Sequence, residues 1–218
     1  METQRRPNST LLRLSAYCGI AAPVVFILSL IIFGALHPNF SHVSDFVSVL
    51  SAQDAPYEVY MNGFGIIPFG VFILLFSYAY ISAHLPRGIG GWASGIAVAI
   101  VGSLFIIAGF NTCDPNCDLT TPTTEALIHN YTASGAFMMI TFAAMLISLR
   151  IRRKDDRFSY YRLALVCFFG LVGGIVGLVI SGEEGAVVGL VQRIFLGFVW
   201  AFLIISAIFI LRWQGEET

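Results

Sequence analysis

The chain has 218 residues, of which 57% are hydrophobic, 14% aromatic and 11% charged, and its net charge is −1. A soluble globular domain carries about a quarter of its residues charged, so this chain has too little polar surface to cover a body of its size in water. Its solvent is lipid, and the absence of a basic field gives no reason to expect nucleic acid as a partner.

A bilayer core about 30 Å thick takes roughly 20 apolar residues of helix to cross. Six stretches qualify, approximately 16–36, 61–83, 91–110, 127–149, 160–181 and 189–211. The first follows Arg5 and Arg6 but is too long for a signal-peptide core. It also lacks a small-residue cleavage site, so it reads as a retained transmembrane helix. The loop after it, about 37–60, is the longest. Within it Val43, Phe46, Val47 and Leu50 fall at i, i+3, i+4 and i+7. That spacing predicts an amphipathic helix of about three turns, capped by Ser41 or Ser44, which lies along the outer interface or dips into the bundle. Pro23 and Pro68 lie inside spans one and two and are expected to kink them. Span three spaces Gly91, Gly95 and Ala99, and span five carries Gly170, Gly173, Gly174 and Gly177. Such residues let helix backbones approach closely in lipid. Spans two, four and six each open on polar residues, namely Asn62, His129-Asn130 and Gln192-Arg193.

Charge sets the expected orientation. Arg5, Arg6, Arg13, Arg87, the cluster from Arg150 to Arg162, and Arg212 all fall on one side if six helices alternate. The opposite loops hold no Lys or Arg, so the cationic side is expected to be cytoplasmic. The acids Asp45, Asp54, Glu58, Asp114, Asp118, Glu125, Glu183 and Glu184 occupy the outer loops. The expected product is an all-α, multi-pass protein of the cell membrane. Residues 1–15 form its cytoplasmic N-terminus, 16–212 a single six-helix domain, and 213–218 a cytoplasmic tail.

Several short motifs are spread along the chain: His37-Pro38, Ser44-Asp45, Ser48-Val49-Leu50, Asn62-Gly63-Phe64, Cys113-Asp114, His129-Asn130 and Gln192-Arg193. Together they resemble a group of prokaryotic membrane proteins catalogued as domain of unknown function 998. The resemblance implies a six-helix fold and brings neither a reaction nor assigned site residues.

The residues alone therefore have to suggest the chemistry. His37, His42 and His129 share the outer side with Asp45, Asp114, Glu183 and Arg193. Histidine with carboxylate is an ordinary zinc ligand set, with His37, His129 and Asp45 as the candidate ligands, and the same groups suit acid–base catalysis. No diagnostic metal or nucleophile spacing supports either use. The competing reading is that these polar groups satisfy one another and lock the helix ends. His37 and His129 are also the only pair placed to ligate a haem between helices. Arg193, the one cation on the outer side, needs an acid such as Asp45, Asp114 or Glu183, or an anionic ligand group such as lipid phosphate. Cys113 and Cys117 form a C-x₃-C turn whose alternatives are a disulfide, free thiols, or a redox or metal pair. Asn39-Phe40-Ser41 and Asn130-Tyr131-Thr132 match the glycosylation sequon, a short motif that often occurs by chance.

The function expected from these features is a membrane protein that binds a small polar ligand, an ion or a lipid headgroup at an outer site. The candidate ligand-binding residues are His37, Asp45, Asn62, Asp114, His129, Glu183 and Arg193. The alternatives are a membrane-embedded metal-dependent hydrolase or other enzyme, and a structural or assembly subunit. A secondary transporter is less attractive, because the spans lack the midplane charges that coupling requires.

Overall fold

A computed structural model describes residues 9–82, 89–118, 120–149, 158–182 and 185–216. Among these residues the secondary structure is all helical, and six helices are long and apolar enough to cross a membrane. They are α1 (Ser9–Leu36), α2 (Glu58–Ser82), α3 (Ile89–Phe110), α4 (Thr124–Ser148), α5 (Phe158–Ser181) and α6 (Val188–Glu216). Each helix packs on the next in chain order, and α6 returns to α1, so the six close into a ring. Pro23 lies within an uninterrupted α1. At Pro68 the outcome differs. Proline cannot donate to the carbonyl of residue 64 and its ring crowds that turn, and the helix widens into a π turn over Met61–Ile66 just before it.

Close approach of backbones occurs where glycines face glycines. A Cβ on Gly102 of α3 would lie 2.6 Å from the Leu74 nitrogen and 2.7 Å from the Gly70 carbonyl of α2. On α5, Gly170 and Gly174 accept the rings of Phe198 and Phe195 from α6, and Gly177 meets Val191. Gly173 faces open space.

Aromatic rings fill the middle of the ring of helices. Phe26 and Phe105 each stand 4.8 Å, centroid to centroid, from Phe69. Phe105 continues to Phe137 at 6.2 Å, and Phe137 to Phe195 at 4.6 Å. This layer links α1, α2, α3, α4 and α6. Toward the end where α5 begins, the buried hydroxyl of Tyr80 lies 3.0 Å from that of Tyr160, which lies 3.0 Å from Ser206 Oγ. These hydrogen bonds tie α5 to α2 and α6 where hydrocarbon offers no competing partner.

The long loop between α1 and α2 does not form the expected three-turn helix. Ser41 Oγ accepts from the backbone nitrogens of Val43 and Ser44, both at 3.2 Å, while Asp45 Oδ2 accepts from Ser41 N at 2.8 Å. Ser41 thus does act as a cap, but of one turn. These local bonds offer the backbone an alternative to the helix. The chain then extends at Phe46 and re-forms only as a short 3₁₀ segment, Val47–Ser51. Val47 and Leu50 are buried, so the segment dips into the mouth of the bundle.

Candidate functional site: a roofed cavity at the loop end of the bundle

The polar residues expected to form one outer site divide into two groups. The larger group is consumed by local structure. Asp114 accepts from Thr123 N at 2.8 Å and from Thr123 Oγ1 at 2.7 Å, and Thr123 in turn caps α4 through Ala126 N. An anion there also complements the helix dipole. His37 Nδ1 bonds the adjacent Pro38 carbonyl at 2.9 Å. Asn62 Nδ2 donates to the Ser51 carbonyl at 3.2 Å, while its Oδ1 is buried with no partner among the described residues. Glu183 lies outside the described residues. His37, His129 and Asp45 do not assemble into a zinc site: among the described residues no three His, Cys, Asp or Glu side chains gather to hold a metal.

Arg193 turns inward, but onto the loop and not onto a carboxylate. Its Nη1 donates to the carbonyls of Asp45 and Gly189, both at 2.8 Å, and its Nε donates to His42 Nδ1 at 3.2 Å. The guanidinium also stands over the Phe40 ring, 5.3 Å from its centroid. Two further bonds fasten the same loop to α6: Leu190 N to the Val43 carbonyl at 2.9 Å, and Val47 N to Gln192 Oε1 at 2.7 Å. Leu190 N, in the first turn of α6, would otherwise lack a partner within its helix. Gly189 allows the approach, since a Cβ there would lie 2.4 Å from the Asp45 carbonyl oxygen.

The fastening is pH-sensitive through His42. Burial pushes its imidazole below the ordinary value, and the Arg193 charge acts in the same direction. The unfolded chain, with histidine near about 6.5, therefore binds more protons than the folded chain as pH falls through that region. The contribution is present above about 6.5 and is lost below it. Acidifying from about pH 8 to about pH 5 should lower the melting temperature more in the parent than in His42→Ala. Equal slopes in the two proteins would contradict this.

The smaller group of polar residues lines a cavity of about 270 Å³ at the axis of the ring. Phe46, Val47 and Ser48 of the first loop roof it together with Cys117. Cys117 is disulfide-bonded to Cys113, whose carbonyl accepts from Gln53 N at 2.9 Å, so the second loop is pinned to the first. Phe26, Phe105 and Phe137 of the aromatic layer form the deeper wall. His129, Asn130, Ser134 and Gln192 supply its polar side chains from the helices.

His129 is 4% exposed, and its Nδ1 lies 2.9 Å from the Ala108 carbonyl and 2.8 Å from that of Asn111. Carbonyls only accept, so Nδ1 carries the proton and the ring is fixed. Its Nε2 makes no hydrogen bond among the described residues. Gln192 spends its oxygen on Val47 N, which leaves the amide donors. Asn130 and Ser134 make no side-chain hydrogen bond among the described residues. Of the candidate ligand-binding residues that are described, only His129 lines this cavity. Asn130 and Gln192 stood beside candidates in the polar openings of spans four and six, and Ser48 in one of the short motifs, whereas Ser134 carried no sequence signal.

No curated protein and no solved structure matches the chain. The family described as "Protein of unknown function (DUF998)" matches residues 20–208, from the first helix to the last, and the chain belongs to that family.

Proposed function

We propose that this protein binds a small ligand in the axial cavity, with the cavity end of the bundle facing outward from the cell membrane and the Arg-rich end facing the cytoplasm. The observation that carries the reading is a set of hydrogen-bonding side chains, His129, Asn130, Ser134 and Gln192, around a mainly apolar space of about 270 Å³. A few convergent polar groups in an apolar concavity are the usual composition of a ligand site. The orientation is supported by the cations at one end and the acids at the other. Binding is favoured over hydrolysis because His129 has no carboxylate beside it among the described residues that line the cavity. Lipids of the surrounding bilayer are the partners such a body meets in any case.

Trp200 offers a reporter, since its ring lies 6.1 Å from Phe26, a cavity-lining residue. With Trp92 and Trp213 replaced by Phe, Trp200 is the only tryptophan left. Titration with a bromohexanol should then quench its fluorescence saturably. Ala133→Phe, which fills the cavity, should abolish the saturable part. Linear quenching that is the same in both proteins would overturn the reading.

A further inference from the structure

We infer that the occupant is a single-chain lipid with an uncharged, hydrogen-bonding head, and that it enters sideways from the membrane between α4 and α5. The inference rests on the cavity being a ligand site and names what fills it and by which route.

The route follows from what is closed and what is open. Toward water, Phe46–Ser48 and Cys117 line the end of the cavity, with Val47 buried. Toward the opposite end, the aromatic layer and the Tyr80–Tyr160–Ser206 hydrogen bonds fill the axis. The side wall is different. Ser134 is exposed on the outer face of α4, on a stripe with Leu127, Tyr131, Met138 and Phe142 at helical spacing, yet it also lines the cavity. The cavity therefore breaks the bundle surface at Ser134, and Leu178 of α5 stands as the facing wall. Ser134 is ten residues into α4, about 15 Å along the helix at about 1.5 Å per residue, well within the apolar length. An opening at that depth admits molecules already dissolved in lipid.

The chemical class follows from the lining. Among the described residues no Asp, Glu, Lys or Arg lines the cavity; Asp45 and Asp114 are committed to backbone and capping bonds, and Arg193, whose buried Nη2 has no partner among the described residues, binds the roof loop and does not line the cavity. A charged head would enter without a counter-ion, at a large desolvation cost. A hydroxyl, amide or ester would find both kinds of partner: amide donors on Gln192 and Asn130, and acceptors on Asn130 and His129 Nε2. Phe26, Phe105, Phe137 and Leu196 line the apolar remainder and suit a tail. At about 270 Å³ the space falls below the roughly 300–1,000 Å³ of ordinary small-molecule sites, so it has room for no more than one chain, whose far end would lie in the opening.

The test uses the full chain in liposomes and a monoacylglycerol carrying a diazirine in its acyl chain. Illumination should label peptides containing Phe137, Leu178 or Leu196. Unlabelled monoacylglycerol should compete at least about tenfold better than lysophosphatidylglycerol of the same chain length. Ser134→Phe and Leu178→Phe, which narrow the proposed opening, should each cut labelling about fivefold or more. Equal labelling of these variants and the parent overturns the lateral route, and equal competition by the charged lipid overturns the uncharged head. If quenching persists without any lipid labelling, the lipid is wrong and the ligand site stands. Loss of both in a protein that still elutes as the parent does removes both.

Discussion

Replacing Gly102 by valine is expected to destroy the compact bundle, with loss of the monodisperse detergent-solubilised protein. The first methyl-sized atom at this position would sit 2.6 Å from the Leu74 nitrogen and 2.7 Å from the Gly70 carbonyl oxygen. Both are helix backbone and cannot rotate aside, so α2 and α3 have to separate. Separation pulls Phe69 away from Phe105 and opens the aromatic layer that closes the cavity from below. Overpacking of a core commonly costs about 1–3 kcal/mol when side chains can yield. Here nothing can yield, and about 3 kcal/mol or more is expected for alanine alone. Gly173→Ala is the control, because no atom lies within 4 Å of its added Cβ. It should leave the melting temperature unchanged or raise it slightly, by the roughly 0.5–1 kcal/mol that alanine gains over glycine in a helix. A Gly102→Val protein that elutes and melts like the parent would contradict the packing.

These two glycines also mark how far the sequence can be read. The six spans were legible because lipid imposes their length and polarity, and 20 or so apolar residues admit few other structures. Gly173 looked like its neighbours Gly170 and Gly174, but only those two face rings on α6. The decisive contact, Gly70 against Gly102, joins residues of two helices and has no local spacing to announce it. In the first outer loop the apolar periodicity was real, since Val47 and Leu50 are buried. The helix was pre-empted by side-chain bonds from Ser41 and Asp45, which periodicity does not register.

Removing Arg193 should cost about 2–4 kcal/mol, while Arg212→Ala at the exposed end of the last span should cost little. Arg193 holds the carbonyls of Asp45 and Gly189 and the His42 ring in one planar fork. Without it those carbonyls lose a charged donor, and the roof of the cavity loses its main fastening to α6. Loop residues 37–57 should then become sensitive to protease at temperatures where the parent resists. Arg193→Lys should not rescue, because a compact ammonium cannot reproduce the forked geometry. Asp45→Asn should not rescue Arg193→Ala either, since the contact is with the Asp45 carbonyl and not its carboxylate. Rescue by that second change would show that the carboxylate is the true partner, as the sequence alone suggested.

The candidate site was less legible than the fold for a related reason. Charged and histidine residues at similar depth suggest convergence, but Asp114 caps α4, Asp45 closes a turn, and Arg193 staples a loop. What the described residues place at the axis is uncharged and contributed by all six helices and two loops, and of the candidate ligand-binding residues only His129 is among them. Asn130 and Gln192 could have been found by asking which polar residues of the span openings lack a local partner, and not which carry charge.

The central claim is that the axial cavity is an occupied ligand site. The most direct measurement is an experimental density map of the protein carried from its own membrane into lipid nanodiscs without delipidation. The expected result is one unbranched density in the cavity, with one end against His129, Asn130 and Gln192 and the other reaching the crevice between Ser134 and Leu178. An empty cavity, or one closed by Phe137 and Leu196 with foreign density only around Arg193, would contradict the account.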